Sequence, residues 1–235
     1  GLANHQSTVF LFDPDTGRLA ALVGGNYLTA VRTAASSAVS IAQLARKDAK
    51  VLGMVGAGHQ AGFQLRAAAE QRNFEKVVAW NRHPEKLSKL EQVANDIGLP
   101  FEAVEREELC ARADVIVTIA SAFEPLLERD WIQPGTHIAC MGTDTKGKQE
   151  VSADLVANAT LFTDEIAQSI SIGETQHAVA AGSITGGDIT SIGDVINGTH
   201  PGRTSEDEIT LFDGTGVGLQ DLAVASVAVT LAEAQ

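Results

Sequence analysis

The residues with the clearest chemical meaning are Gly56-Ala57-Gly58-His59-Gln60-Ala61. They follow the apolar run Val51-Leu52-Gly53-Met54-Val55 and precede a helical stretch, so strand, turn and helix come in the order a dinucleotide site requires. Gly56 permits a tight turn, Gly58 lets the backbone approach a pyrophosphate, and Ala61 stands where a small residue allows close helix–strand packing. The start of the helix offers free N–H groups and the positive end of its dipole to phosphates. A second strand, Lys76 to Trp80, ends without the Asp or Glu that would bind a ribose 2′-hydroxyl. Two readings of its end fit. Asn81 and Arg82 hold a 2′-phosphate, which favours NADP, or Asn81 bonds the ribose and Arg82 lies over the adenine.

Asp144 follows the buried run His137-Ile138-Ala139-Cys140-Met141. A carboxyl group at the C-terminal edge of an open α/β sheet lies where ligands bind, and can pass the proton that accompanies hydride transfer. Burial would raise its pKa, and Lys146 or Lys148 would lower it. The alternative is an Asx-turn, favoured by Gly147. Arg32 is a lone cation in a helix of Ala, Ser and Val. A charge there needs a partner, either a cofactor phosphate gripped by the guanidinium fork or an acidic side chain. The segment His200-Pro201-Gly202-Arg203 either supplies cationic donors to a dicarboxylate or is an exposed loop. His137 and His177 read as residues with ordinary hydrogen bonds. No His/Cys/Asp cluster has metal spacing, and no Gly-x-Ser-x-Gly elbow occurs.

These residues need a scaffold of alternating strands and helices. Thr8–Phe12 and Leu19–Val23 read as a hairpin around the turn formers Asp13 to Gly17. Tyr27 to Ala45 reads as a long buried helix. Val51–Val55, Lys76–Trp80, Phe101–Val104, Val115–Ile119, His137–Met141 and Thr160–Thr163 read as strands. Helices fall between them at 59–71, 84–97 and 106–113, and a further one spans 164–181. The apolar, non-alternating strands indicate a parallel sheet covered on both faces. Residues 182–203 read as loops, 208–212 as a late strand and 219–234 as a last helix. The expected fold class is α/β: a Rossmann-type doubly wound parallel sheet over 46–185. Residues 1–45 and 186–235 form a second, discontinuous α+β lobe for substrate binding and dimerisation, with the active cleft between the lobes.

The sequence is 44% hydrophobic and 20% charged, as a chain with a well-buried core should be. Its net charge of −13 argues against nucleic acid or an anionic membrane as partner. The two cysteines, Cys110 and Cys140, provide neither a disulfide framework nor a metal motif. With no membrane span or basic-then-apolar leader in evidence, a cytoplasmic location is expected.

Four segments together resemble the ornithine cyclodeaminase/μ-crystallin family. They are Leu28 to Ser37, the glycine turn, Gly142-Thr143-Asp144-Thr145-Lys146-Gly147-Lys148-Gln149-Glu150, and Leu211-Phe212-Asp213-Gly214-Thr215-Gly216. Their order and spacing cover nearly the whole chain. The resemblance implies an NAD(P)-dependent oxidoreductase acting on CH–NH groups, with NAD(H) or NADP(H) as cofactor. Asn4 to Thr8 and His137 to Lys148 are most similar to members that reduce iminosuccinate to L-aspartate. The resemblance also implies roles for residues. Asp144 is the catalytic acid/base and touches substrate. Arg32 meets the cofactor phosphates, and His59 and Gln60 the pyrophosphate. Asn81 meets the adenosine ribose. Ser121 and Lys148 also contact the cofactor. His137, Ile138, Ala139 and Cys140 pass the nicotinamide side, and Gly214 and Thr215 close over nicotinamide and substrate. Other members are cyclodeaminases that recycle NAD, alanine dehydrogenases, ketimine reductases and non-catalytic nucleotide-binding crystallins, which remain alternatives. Family members carry a longer N-terminal region whose arginine and lysine grip the substrate carboxylate. The sequence starts at Gly1 without them, so half of the substrate site is expected to be missing from this chain. A homodimer is expected, since the first hairpin and last helix are apolar enough to pack on another subunit.

Overall fold

The computed structural model describes residues 6–234. Asn4 and His5, which open one of the family-like segments, lie outside the described residues. The described chain divides into two compact units. One comprises 6–33 and 216–234, and the other Ala34–Thr215.

In the smaller unit, β1 (Thr8–Phe12) and β2 (Leu19–Gly24) form an antiparallel hairpin. Asp13 fixes its turn by accepting from Thr16 N at 2.7 Å and Asp15 N at 3.1 Å, as turn-forming aspartates do. The helix α1 (Gly25–Leu44) begins in this unit and runs on into the larger one.

The larger unit is built on one parallel sheet. After α1 come β3 (Val51–Val55), α2 (Ala61–Ala69), β4 (Lys76–Trp80), α3 (Leu87–Asp96), β5 (Phe101–Ala103), α4 (Arg106–Arg112) and β6 (Val115–Thr118). They are followed by β7 (Phe123–Leu127), β8 (His137–Cys140), β9 (Gln149–Val151), α5 (Ala153–Ala157) and β10 (Thr160–Thr163). The unit ends with α6 (Ile166–Ile172), α7 (Gln176–Ala180), β11 (Ile189–Ser191), α8 (Ile192–Ile196) and β12 (Thr210–Asp213). The helix α9 (Gly218–Glu233) returns to the smaller unit. The sheet order is β11-β10-β12-β8-β6-β3-β4-β5, with every pairing parallel.

Residues of the central strands are buried on both faces, which is why they are apolar with little alternation. Leu52, Met54, Val77, Val117 and Phe212 pack with Ile41, Leu44, Leu65 and Leu90 on one side. Val55, Val78, Ile116, Ile138 and Leu211 pack with Leu109, Leu155 and Ala178 on the other. Helices therefore cover both faces, as in a doubly wound fold. The order reverses at β3: the chain builds outward through β4 and β5, then returns to place β6 on the other side. That switch point opens a crevice at the C-terminal ends of β3 and β6.

The sequence pattern is corrected in three places. Residues 34–45 and 186–215, assigned to the other lobe, fall in the larger unit. There β12 lies between β10 and β8, completing the backbone pairing of both. The helix expected over 164–181 breaks at Gly173, whose Cβ position is filled by the Asp213 carboxylate and Ser169; the break lets Glu174 N donate to Asp213 Oδ2 at 2.9 Å. The loops expected at 182–203 include the edge strand β11 and α8, capped by Ser191 Oγ accepting from Gly193 N.

Arg72 closes the C-terminus of α1. Its guanidinium donates to the carbonyls of Ile41, Ala42, Ala45 and Arg46 at 2.7–3.1 Å. Ile41 O and Arg46 O also accept from Ala45 N and Ala49 N, so the carbonyls that the helix end leaves to Arg72 are those of Ala42 and Ala45. Arg72→Ala is expected to destabilise the fold by about 2–3 kcal/mol in urea unfolding, and Arg72→Lys to recover only part of that, since one ammonium cannot serve the same fan of acceptors.

Candidate functional site

The C-terminal ends of β3, β6, β8 and β12 bring the glycine turn, Ser121, Asp144 with Lys148, and Gly214-Thr215 to one edge of the sheet. Gly56 has φ +110°, and a Cβ there would strike Ile119 O at 2.6 Å, so only glycine makes this turn against the end of β6. Its N–H donates to Trp80 O at 2.9 Å. The next N–H, of Ala57, donates to Asn81 Oδ1 at 3.1 Å, and Asn81 Nδ2 donates to His83 O at 2.8 Å. Asn81 thus ties the end of β4 to the turn.

The N–H groups of Gly58, His59 and Gln60 have no acceptor among the described residues. Gly58 and His59 are exposed, and a Cβ on Gly58 would meet open space. Gln60 Oε1 is buried without a hydrogen-bond partner. Three unpaired N–H groups at the N-terminus of a nine-residue helix are a cradle for phosphate oxygens. A nicotinamide dinucleotide fits this arrangement, and the N–H groups of Gly58, His59 and Gln60 are those that would hold its pyrophosphate. A cavity of about 180 Å³ beside the turn is lined by Asn81, Arg82, Ala120 and Ser121. A larger one, about 570 Å³, runs from Gly58 and His59 to Lys86 and Lys89.

Asp144 is exposed, and its Oδ1 accepts from Lys148 Nζ at 2.6 Å and Thr145 Oγ1 at 3.0 Å. Partial burial raises its pKa, but the Lys148 ammonium and the Thr145 hydroxyl outweigh that and hold it below the usual aspartate value. The competition left open by the sequence is won by Lys148. Gly214 N donates to Cys140 O at 2.9 Å. Thr215 donates to Asp164 Oδ1 through both N, at 3.0 Å, and Oγ1, at 2.7 Å.

Other expected site residues lie elsewhere. His137 is at the opposite, N-terminal end of β8. It is fully buried, bonded to Ser40 Oγ at 3.2 Å and Thr210 Oγ1 at 2.9 Å. Burial, with the charges of Arg203 and Arg72, pushes its pKa down to about 3, so it is a neutral core histidine and not a cofactor contact. Ile138 and Ala139 are enclosed in mid-strand; of the four strand residues only Cys140 reaches the ligand edge. Burial and the neighbouring carboxylates hold its thiol well above the usual range. Arg32 pairs with Asp221 Oδ1 at 3.3 Å and Gln220 Oε1 at 3.4 Å, the acidic-partner reading of that helix cation. Arg203 donates to Leu44 O, Glu208 O and Thr210 Oγ1 near the start of β12, and His200 packs edge-on against Phe162. Neither is placed to receive a dicarboxylate at the glycine-turn edge.

Sequence reasoning missed three fully buried acids behind this edge: Glu150, Glu174 and Asp213. Each of the two glutamates accepts three hydrogen bonds. Asp213 Oδ2 accepts from Ser169 Oγ and Glu174 N, while Oδ1 has no partner. Burial raises all three, and each acid raises a neighbour further. Their one visible signal is position, an acid within or just beside an apolar stretch.

The chain matches the ornithine cyclodeaminase/mu-crystallin family over residues 1–234. It is 64% identical over 232 residues to the iminosuccinate reductase of Paracoccus denitrificans, covering 99% of this chain and 72% of that protein. The crystal structure of that reductase in complex with NAD+ superposes with a TM-score of 0.96. An archaeal alanine dehydrogenase dimer with bound NAD is 36% identical, with a TM-score of 0.93 over 97% of this chain and 71% of that one. A Δ1-pyrroline-2-carboxylate reductase from Thermococcus litoralis, in complex with NADH and L-proline, is 32% identical, with a TM-score of 0.90 over 95% and 70%.

Asp213 supplies a pH test. Its folded pKa, raised by burial to about 8, exceeds that of an unfolded aspartate, so its contribution to stability is full at acid pH and is lost as pH rises through 8. Asp213→Asn keeps an acceptor for Ser169 and Glu174. Its stability relative to the parent should increase between pH 5 and 8, by at most about 1.4 kcal/mol per pH unit, in urea unfolding at each pH.

Proposed function

The chain belongs to the ornithine cyclodeaminase/mu-crystallin family, and we propose from its site that it reduces an α-imino acid to an amino acid, with iminosuccinate as substrate and L-aspartate as product. The observation that carries this reading is a lysine-paired carboxylate, Asp144, on the same sheet edge as an amide cradle for a dinucleotide. The identity with the Paracoccus iminosuccinate reductase supports the choice of imine.

The nicotinamide cofactor, when bound, supplies the hydride. The residues of this chain do the rest. Gly58, His59 and Gln60 hold the pyrophosphate through their N–H groups. Ser121 and Arg82 flank the adenosine side, and Asn81 keeps the turn in place. Asp144, held as a carboxylate by Lys148, lies beside the protonated imine nitrogen, favours its cationic form and guards its proton. Lys148 carries the compensating charge. Thr215, fixed by Asp164, borders the substrate.

The NAD complexes of the relatives support NADH as the cofactor. Asn81, engaged with Ala57 and His83, agrees with that, while exposed Arg82 keeps NADPH as the competing reading. A cytoplasmic location suits the two buried, unpaired cysteines. No described helix is long and apolar enough to cross a membrane. A homodimer follows from the apolar side chains the smaller unit leaves exposed. Phe10, Phe12, Leu19 and Leu22 lie on the hairpin, and Leu219, Val227 and Leu231 on α9.

Kinetics and sedimentation test this reading. NADH oxidation should require iminosuccinate, run at a lower KM for NADH than for NADPH, and fall about 10²–10⁴-fold in kcat for Asp144→Asn. Turnover without net NADH consumption would instead indicate a cyclodeaminase. Sedimentation should give a dimer at micromolar concentration, shifted toward monomer by Phe12→Asp.

A further inference from the structure

We propose that Glu150 and Glu174 are positioning residues for Asp144: together they hold the two residues that precede it. The ladder between β8 and β6 ends at Met141, whose N–H donates to Thr118 O at 2.8 Å. Beyond that point two buried carboxylates take over. Glu150 Oε2 accepts from Gly142 N at 2.9 Å and Thr118 Oγ1 at 2.7 Å, while Oε1 accepts from Ala120 N at 2.6 Å. One side chain thus joins the ends of β6 and β8. Glu174 Oε2 accepts from Thr143 Oγ1, and its Oε1 accepts from the N–H groups of Glu150 and Val151 at 2.8 and 2.7 Å. The second acid therefore fixes both the residue next to Asp144 and the backbone that carries the first acid.

The spacing Gly142-x-Asp144-x-x-x-x-x-Glu150 follows from this arrangement. A Cβ on residue 142 would occupy the space of the Glu150 carboxylate and Ala120 O. The Asp144 side chain bonds only to Thr145 and Lys148, so its place at the sheet edge is set from one side by residues 142 and 143 and from the other by residues 145–148, which Gln176 and His177 hold. Fully buried carboxylates are expensive to desolvate, and no cation bonds to either one among the described residues. A loop with no positional demand would end in apolar packing. A carboxylate that must meet a reacting atom to within a fraction of an ångström needs a rigid support.

This inference rests on the reading of Asp144 as the reacting carboxylate, and its test separates the two. Thr143→Val removes the Glu174 tie at constant shape, Thr143→Ser restores it, and Glu150→Gln opposes an amide to N–H donors. Hydrogen exchange at 142–148 in the cofactor-free protein should quicken at least about tenfold in Thr143→Val and Glu150→Gln. Exchange at 56–62 should not change. With substrate, kcat should fall about 10–100-fold while NADH affinity stays within about twofold, and Thr143→Ser should recover both readouts. Unchanged exchange would overturn the proposal, as would faster exchange with unchanged kcat, or equal losses in kcat and NADH affinity. Should Glu150→Gln fail to fold, the Thr143 pair decides. A parent protein that binds NADH and reduces no imine would defeat the functional reading instead, and the exchange arm would still report whether the carboxylates hold the segment.

Discussion

Everything at the ligand edge depends on three backbone N–H groups that the protein does not satisfy. Those of exposed Gly58 and His59 and half-buried Gln60 have no acceptor among the described residues and face outward at the start of α2. An anion with several oxygens is the natural complement, and a helix N-terminus adds its dipole to the attraction. The turn is itself held from two sides. Asn81 fixes Ala57 from the end of β4, and Ile119 O forbids any side chain at position 56. The cradle is therefore formed before any ligand arrives, which lowers the cost of ordering it on binding.

The same edge presents an electrostatic problem. A chain of net charge −13 gathers Asp144, Glu150, Glu174 and Asp213 at or behind the sheet edge that carries the amide cradle. Two physical devices ease this. Burial moves the three hidden acids toward their neutral forms, and N–H and hydroxyl donors satisfy their oxygens, apart from Asp213 Oδ1. Lys148 neutralises the one acid that must stay ionised. The local charge is thus far smaller than the count of acids suggests.

The sequence revealed the sheet well because its signal is strong. Runs such as Val51–Val55 and Val115–Thr118, covered on both faces, are apolar over nearly their whole length. The glycine turn was equally legible, since Gly56 and Gly58 have few other reasons to follow an apolar strand. Short elements were not: β7 contains Pro125, and β11 is a three-residue edge strand, so neither has a periodicity to read. The error at His137 has a similar origin. A run of four strand residues was taken as one surface passing the nicotinamide, but a strand spans the sheet, and only its C-terminal end, at Cys140, lies on the ligand side. The burial of the acids was hard to read because a lone Glu in Gly147-Lys148-Gln149-Glu150 looks like any solvated charge until the topology folds it under Gly142.

The most direct measurement is a titration of ¹⁵N-labelled protein with NADH, read at the backbone amides. The account predicts that Gly58, His59 and Gln60 shift furthest and saturate together, with Ala57, already bonded to Asn81, moving less. Saturable NADH binding that leaves those three amides unmoved would contradict it.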